Sequence, residues 1–352
     1  MHKIILDCDL MKFRNSGLYY YCLNLGLHVN RALSKHCGAA IRFYVPRQEA
    51  HTFKLPGHTI VRRKYHRYMK PFLRNCSVWH APFQSGRILP PPNSRAKVLL
   101  TIHDLNALHE GKSIEEQKKS LTHTQELINR SHAIVCISEF TKADVLKHCD
   151  IGGKPVYVVH NGTHAVGQPA LDANSYRPSM PFLFTMGYVN RKKNFHVLLS
   201  LLEQPSIELI IAGKMDEPDY IEMMKKQAFA LGVSDRLHIL GPVSENEKAW
   251  YLKNCKAFVL PSLAEGFGAP VVEAMQFGRP IFLSDRTSLP EIGGDVAFYF
   301  RSFEPAHMQS VLAEGLAVYG RNGLAGKIVE RGRSFDWERK AQEYITIYES
   351  LL

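Results

Sequence analysis

Cysteine is present in this sequence, but in no organised form. The seven cysteines stand at positions 8, 22, 37, 76, 136, 149 and 255, an odd and scattered set with no C-x-x-C pair. That excludes a disulfide framework, argues against a zinc site and reads as free thiols in a reducing cytoplasm. No apolar run approaches the ~20 residues of a membrane span. Between Lys3 and Asp7 stand only Ile4, Ile5 and Leu6, too short for the apolar region of a signal peptide. No repeat of fixed period is visible, which excludes a solenoid. A G-x-x-x-x-G-K-[ST] phosphate loop is missing. Gly266-Phe267-Gly268 lacks the third glycine of a dinucleotide fingerprint, because Val271 holds that place. No carboxylate cluster suited to a divalent metal is evident.

What is present is a chain of 352 residues, 45% hydrophobic and 22% charged, which rules out disorder and suits about two domains. The net charge of +11 is uneven. Residues 1–165 carry 24 Lys/Arg against 11 Asp/Glu, and residues 166–352 carry 20 against 22, so the halves stand at +13 and −2. An electropositive half of this kind meets something anionic.

Strand-like apolar segments alternate with helix-length amphipathic ones. In the first half the strands are predicted at 3–6, 40–45, 78–80, 98–103, 133–137 and 156–160, with helices at 18–35, 113–131 and 139–149. In the second half they are predicted at 182–187, 208–212, 237–240, 257–260, 280–283 and 297–300, with helices at 219–231 and 245–254 among others. Such alternation, twice over, predicts two doubly wound α/β domains with parallel sheets. Residues 162–181, rich in Gly, Pro, Asn and Ser, read as the linker. A last helix starts at Asp336, and Trp337, Ala341, Tyr344, Ile345 and Tyr348 mark its buried face. The resulting division is 1–165, 166–335 and a closing helix 336–352.

The stretch Pro261-Ser262-Leu263-Ala264-Glu265-Gly266-Phe267-Gly268-Ala269-Pro270-Val271-Val272-Glu273 follows a predicted strand and leads into a helix. Loops at the carboxyl ends of parallel strands are where such sheets bind ligands, and helix N-termini favour phosphate. Two carboxylates eight positions apart, Glu265 and Glu273, suit two separate sets of hydroxyls.

This stretch resembles the Glu, seven residues, Glu signature of retaining glycosyltransferases of the GT-B fold, and most closely family 4. Ser16-Gly17 after the first strand, Trp79-His80-Ala81-Pro82, Thr101-Ile102-His103-Asp104-Leu105, Ile137-Ser138-Glu139-Phe140, Arg191-Lys192-Lys193-Asn194, Ala212-Gly213-Lys214 and Phe335-Asp336-Trp337 agree in the same order. The resemblance implies two Rossmann-like domains facing each other across a cleft, acceptor-binding first and donor-binding second, with the closing helix crossing back to the first. It places Glu265 by the donor sugar's hydroxyls and the amides of Gly266, Phe267, Gly268 and Ala269 along sugar and phosphate. Glu273 falls on the nucleotide ribose. Lys193, with Arg191 or Lys192, falls on the diphosphate, Gly17 near the distal phosphate, and Gly241 and Val243 beside the base. His103 faces the sugar, while Asp104, His80 and Ser138 are acceptor or supporting residues. His80 alone reads as a strand-end histidine, and Ser138 alone as a helix cap.

The activity implied is transfer of a hexose from a nucleotide sugar, with retention and without a metal or other cofactor, onto a glycan or lipid-linked glycan in surface polysaccharide or lipopolysaccharide synthesis. GDP-mannose is favoured as donor, with UDP-glucose, UDP-N-acetylglucosamine and a deoxysugar nucleotide as alternatives. An epimerase, a phosphorylase and a non-catalytic glycan- or lipid-binding protein are the rival readings on the same fold. Residues 61–74 hold six cations (Arg62, Arg63, Lys64, Arg67, Lys70 and Arg74), no acid, and interleaved Tyr65, Tyr68 and Phe72. Aromatics among cations suit an anionic bilayer surface or an anionic acceptor, and Pro71 argues against one uninterrupted helix. Nucleic acid is not expected, since no RRM, KH or zinc-finger pattern accompanies the segment. The expected location is the cytoplasm, peripheral on the inner face of the membrane.

Overall fold

The structure is a computed structural model. It describes every residue except 1, 15, 35–38, 55–57, 85–87, 164, 165, 204 and 205. Cys37 therefore lies outside the described residues, and the other six cysteines are free thiols. The chain divides into two compact units, residues 1–162 with 335–352, and residues 163–334. The division falls three residues before the predicted boundary.

The first unit holds seven parallel strands: β1 (His2–Asp7), β2 (Ala39–Val45), β3 (Thr59–Val61), β4 (Val78–Ala81), β5 (Lys97–Ile102), β6 (Ala133–Cys136) and β7 (Val156–Val158). Their order is β3-β2-β1-β4-β5-β6-β7. The short strand β3 was not predicted, because three residues pairing with Phe43 to Val45 make no pattern of their own. Near-continuous apolar runs supply the central strands, as a sheet covered on both faces requires. Successive side chains point to opposite faces. Ile4 and Leu6 join one buried cluster with Tyr21, Leu25 and Val29 of the helix Gly17–Leu33. Ile5 joins the other, with Trp79, Leu127 and Val145. The helix Trp337–Leu351 completes the first cluster through Trp337, Ala341, Tyr344, Ile345 and Tyr348, the five residues its 3.6 spacing predicts. The direction of strand addition reverses between β1 and β4, so the loops after those two strands open at a topological switch point, with the loop after β5 next to them.

The second unit holds six parallel strands: β8 (Phe182–Met186), β9 (Glu208–Ala212), β10 (Leu237–Gly241), β11 (Ala257–Leu260), β12 (Ile281–Ser284) and β13 (Phe298–Phe300). Their order is β10-β9-β8-β11-β12-β13, with the reversal between β8 and β11. The loops leaving those two strands carry Lys193 and Glu265. Residues 195–203 form a 3-10 helix. Among the described residues no helix is long and apolar enough to cross a membrane.

Candidate active site

In the second unit three glycines end three adjacent strands. Gly187, Gly213 and Gly241 have φ of +144°, +143° and +76°. A Cβ on Gly213 would sit 1.9 Å from the carbonyl oxygen of Gly187, so no other residue fits there. A Cβ on Gly187 would sit 3.1 Å from Cε of Lys193. These bare backbones let the loop after β8 fold back over the sheet edge. The loop then forms a 3-10 turn, Arg191–Lys193. Asn190 caps it by accepting from the Lys193 amide, and Asn194 closes it in the left-handed region at φ +58°.

The turn sends its cations apart. Nζ of Lys193 lies 2.5 Å from Oε1 of Glu265, and the hydroxyl of Ser262 donates to the same oxygen at 2.7 Å. Both side chains of the ion pair are 11% exposed. Burial pushes a carboxyl up, but the Lys193 ammonium and the bonds from Lys193 and Ser262 outweigh it and hold Glu265 below its ordinary value. Glu265 is thus a carboxylate, an acceptor of hydroxyl hydrogens and not an acid. Its own backbone is pinned as well. The Glu265 amide donates to Thr287 Oγ1 at 2.9 Å, and the Ser288 hydroxyl donates to the Glu265 carbonyl at 3.0 Å. The amide of Leu263 donates to the Lys192 carbonyl at 2.9 Å, tying the two loops together. Arg191, one of the two cations expected beside Lys193 on the diphosphate, pairs with Asp219 and Glu217 and lies 5.6 Å over the Tyr220 ring. The i,i+2 spacing in a 3-10 turn explains the divergence.

After Glu265 the buried Gly266 and Phe267 lead to Gly268, at φ +94°, and to the short helix Ala269–Met275 with Pro270 in its first turn. Glu273 lies on that helix. Its Oε2 is 3.0 Å from Nζ of Lys248, which also reaches Glu245 at 2.8 Å. Burial would lower the Lys248 pKa, but the charges of Glu273 and Glu245 reverse the sign and raise it. Lys248 sits on the helix Glu245–Asn254, which starts two residues after Val243 and four after Gly241. Ser262, Lys248, Thr287 and Ser288 were not singled out from sequence. Ser262 alone carried a signal, the S-x-x-E spacing to Glu265. The others meet their partners across 22 to 25 residues, which no local pattern records.

In the first unit, His103 follows β5. Its Nε2–H donates to the Pro82 carbonyl at 2.8 Å, and its amide donates to Oε1 of Gln84 at 3.0 Å. Gln84 closes the clamp by donating to the Asp104 carbonyl at 2.9 Å. The His103 ring packs edge-on against Tyr21 and Phe83. Burial drives its pKa down to about 4, against the pull of Pro82. A neutral ring with its proton on Nε2 presents Nδ1 as an acceptor. Asp104 accepts from the Asn106 amide at 3.1 Å and so shapes the loop. Ser138 caps the helix Glu139–His148, and Thr141 on that helix donates to the His103 carbonyl at 3.2 Å. His80 is fully buried, with Nδ1 at 2.7 Å from the Tyr348 hydroxyl and Nε2 at 2.8 Å from Thr101 Oγ1, so both ring nitrogens are taken up within the unit. Gly17 begins its helix behind the Ser16 cap, and a Cβ there would meet nothing within 4 Å.

The basic segment forms two short 3-10 turns, Lys64–Arg67 and Pro71–Asn75, as Pro71 suggested. Arg62 leaves the set available to an outside partner. Its Nη1 lies 2.8 Å from both oxygens of the buried Asp9, because β3 ends beside the loop after β1. Arg63, Lys64, Arg67 and Arg74 are exposed and Lys70 is half-buried. Among the described residues no group of three or more His, Cys, Asp or Glu is placed to hold a metal ion.

Two doubly wound parallel units, the second presenting a lysine–glutamate pair over a glycine-lined sheet edge, define a GT-B glycosyltransferase. The family described as Glycosyl transferases group 1 matches residues 168–303, and Glycosyltransferase Family 4 matches residues 31–165. The chain belongs to the family 4-like GT-B glycosyltransferases. Among its relatives, the serotype-specific mannosyltransferase WbdA of Escherichia coli is 28% identical over 63% of this chain and 29% of its own length. The chain thus spans under a third of that relative. The lipopolysaccharide core biosynthesis mannosyltransferase LpsB of Rhizobium meliloti is 24% identical over 82% of this chain and 83% of its own. The fold is shared with the sucrose-phosphate synthase of Thermosynechococcus elongatus, at TM-score 0.75 and 17% identity, covering 100% of this chain and 99% of that one. It is shared as well with Anabaena HepE in complex with UDP and glucose, at TM-score 0.72 and 16% identity, covering 99% and 100%.

Proposed function

We propose that this chain transfers a hexose, with mannose from GDP-mannose favoured, onto a growing surface glycan or its lipid-linked form, with retention and without a metal. The observation that carries the reading is the buried Lys193–Glu265–Ser262 cluster at the sheet's switch point. The mannosyltransferase relatives support the choice of sugar.

In this reaction the C1–oxygen bond to the distal phosphate breaks while the acceptor hydroxyl bonds C1 from the same face. The acceptor's proton passes to the departing phosphate oxygen, and a nucleoside diphosphate leaves. Lys193 and Lys192 stabilise the negative charge growing on that diphosphate, and one such preorganised donor is worth about 3–4 kcal/mol. Glu265, held as a carboxylate, accepts from sugar hydroxyls and orients the ring. Glu273, steadied by Lys248, accepts from the ribose hydroxyls. His103 offers Nδ1 to a sugar hydroxyl. The cationic turns 64–75, with Tyr65, Tyr68 and Met69 at 53%, 82% and 68% exposure, dock the chain on an anionic membrane face.

The test is release of nucleoside diphosphate from a panel of nucleotide sugars in EDTA, for wild type and Glu265→Ala. Turnover of GDP-mannose in EDTA, lost in the variant, is expected. Turnover of a different donor reassigns the sugar. If no nucleoside diphosphate is released and none binds, the transferase reading fails. Co-sedimentation with vesicles tests docking, and equal binding to neutral and anionic vesicles at all salt concentrations would remove it.

A further inference from the structure

At the far edge of the first unit's sheet, where the strands begin, Lys70 and Arg74 of the basic segment meet three further cations that the transfer chemistry does not use. Two adjoining concavities of about 640 and 380 Å³ open there, and both are lined by Arg74 and Arg95. Lys3 and Lys97 complete the larger one, and Lys70 with the ring of Tyr68 the smaller. These five cations come from three separate stretches of the chain. Lys3 stands in β1, Lys97 opens β5, Lys70 and Arg74 flank Pro71, and Arg95 lies on the loop before β5. No acidic side chain lines either concavity. None of the five has an acidic partner among the described ion pairs. The sequence reinforces this, since no Asp or Glu occurs between Glu49 and Asp104 while ten Lys or Arg do.

Gathering five like charges around two adjoining concavities costs self-repulsion, and no acidic side chain in their lining offsets it. The cations converge on a volume larger than one phosphate needs, and the second lobe has an apolar wall of Leu73, Pro91 and the exposed Tyr68 ring. Arginine forks suit phosphate oxygens in pairs. We propose that this edge is a binding site for clustered phosphate, a ligand carrying two or more phosphate groups beside a sugar or other ring that rests on Tyr68. Lys97 opens β5 and His103 follows its end. Six residues at about 3.3 Å each place the site roughly 20 Å from His103, at the opposite edge of the sheet. The site is therefore distinct from the donor and acceptor residues, and it holds whichever sugar is transferred. Clustered phosphate of this kind is supplied either by a diphosphate-linked ligand or by lipid headgroups.

The probe is inorganic tripolyphosphate, and the readout is hydrogen–deuterium exchange of the full chain, which reports each edge separately. Slowed exchange is expected in peptides covering 68–76 and 91–99, with at least a tenfold weaker midpoint in Arg74→Gln/Arg95→Gln. Both residues are exposed, and the melting temperature of that variant without ligand checks its fold. Protection confined to the second unit, or protection at 68–76 and 91–99 that the double variant keeps unchanged, overturns the proposal. Vesicles of phosphatidylglycerol and phosphatidylcholine then separate the sources. If tripolyphosphate releases the chain and the double variant fails to sediment, headgroups supply the phosphate. If the variant sediments like wild type while losing tripolyphosphate, a diphosphate-linked ligand does.

Discussion

Lys193 and Glu265 each sit almost out of water, so neither tolerates loss of the other. Lys193→Met leaves a buried carboxylate unpaired and is expected to cost about 3 kcal/mol in the unfolding transition of the second unit, read by urea titration. The double variant Lys193→Met/Glu265→Gln should recover much of that loss, because the unpaired charge is gone. Recovery of none would show that the pair is not coupled. Histidine makes the opposite kind of statement in the first unit. His80 and His103 are held neutral, at about 3 and about 4, against 6.5 in the unfolded chain. Between pH 6.5 and 4 the unfolded state binds the extra protons, so stability is full above pH 6.5 and falls as pH drops. The expected slope is roughly 1.4 kcal/mol per pH unit for each histidine. His80→Gln should flatten the dependence, and an unchanged slope from pH 7 to 5 would contradict this assignment. At this scale the sequence showed the actors and hid their partners. Glu265, Lys193 and His103 stand out by type and place. Pro82, whose carbonyl fixes the tautomer of His103, and Lys248, which holds Glu273, are ordinary residues until the chain folds.

Helix Glu139–His148 shows how an element sets a residue. It grips the loop 103–109 at both ends, through Thr141 on the His103 carbonyl and through Asp144, 2.5 Å from His109 Nε2. Asp144→Asn weakens one grip without touching a candidate reacting group. It is expected to speed amide exchange across 104–110 and to raise the KM for the acceptor several-fold with little change in donor affinity. The reverse pattern would mean that the loop serves the donor. Strand and helix bounds were legible to within about two residues wherever an apolar run or a 3.6 repeat was long enough to repeat itself. The strand β3 and the 3-10 helix 195–203 were not, because three residues carry no period and an apolar segment fits either helix type. The same holds for the turn 191–193. Its sequence announced three cations, but only the turn's geometry sends Arg191 to Asp219 and Lys193 to Glu265.

For the molecule as a whole, charge and connectivity matter more than any one contact. The +13 first half predicts that association with anionic vesicles weakens steeply as salt rises from 50 to 300 mM, since the Debye length shrinks below the spacing of the cations. Binding that holds constant across that range would point to apolar insertion by Tyr68 and Met69 alone. The charge split was plain in the sequence. The gathering of Lys3, Arg74, Arg95 and Lys97 at one sheet edge was not, because three chain segments meet there only once β1, β4 and β5 are laid in order across the sheet.

The last helix belongs to the unit that the first residues begin. Tyr344 meets the Tyr21 hydroxyl at 2.6 Å, and Tyr348 satisfies His80, so the first unit's core is unfinished until residues 337–351 arrive. A ribosome adding about 5–20 residues per second takes roughly 10–35 s to make residues 163–334 in between. During that interval the face later covered by Trp337–Leu351 is bare while the second unit can fold to completion. Synthesis therefore runs the assembly out of chain order, and the nascent first unit is the stage at which a chaperone that binds apolar surface has the most to hold.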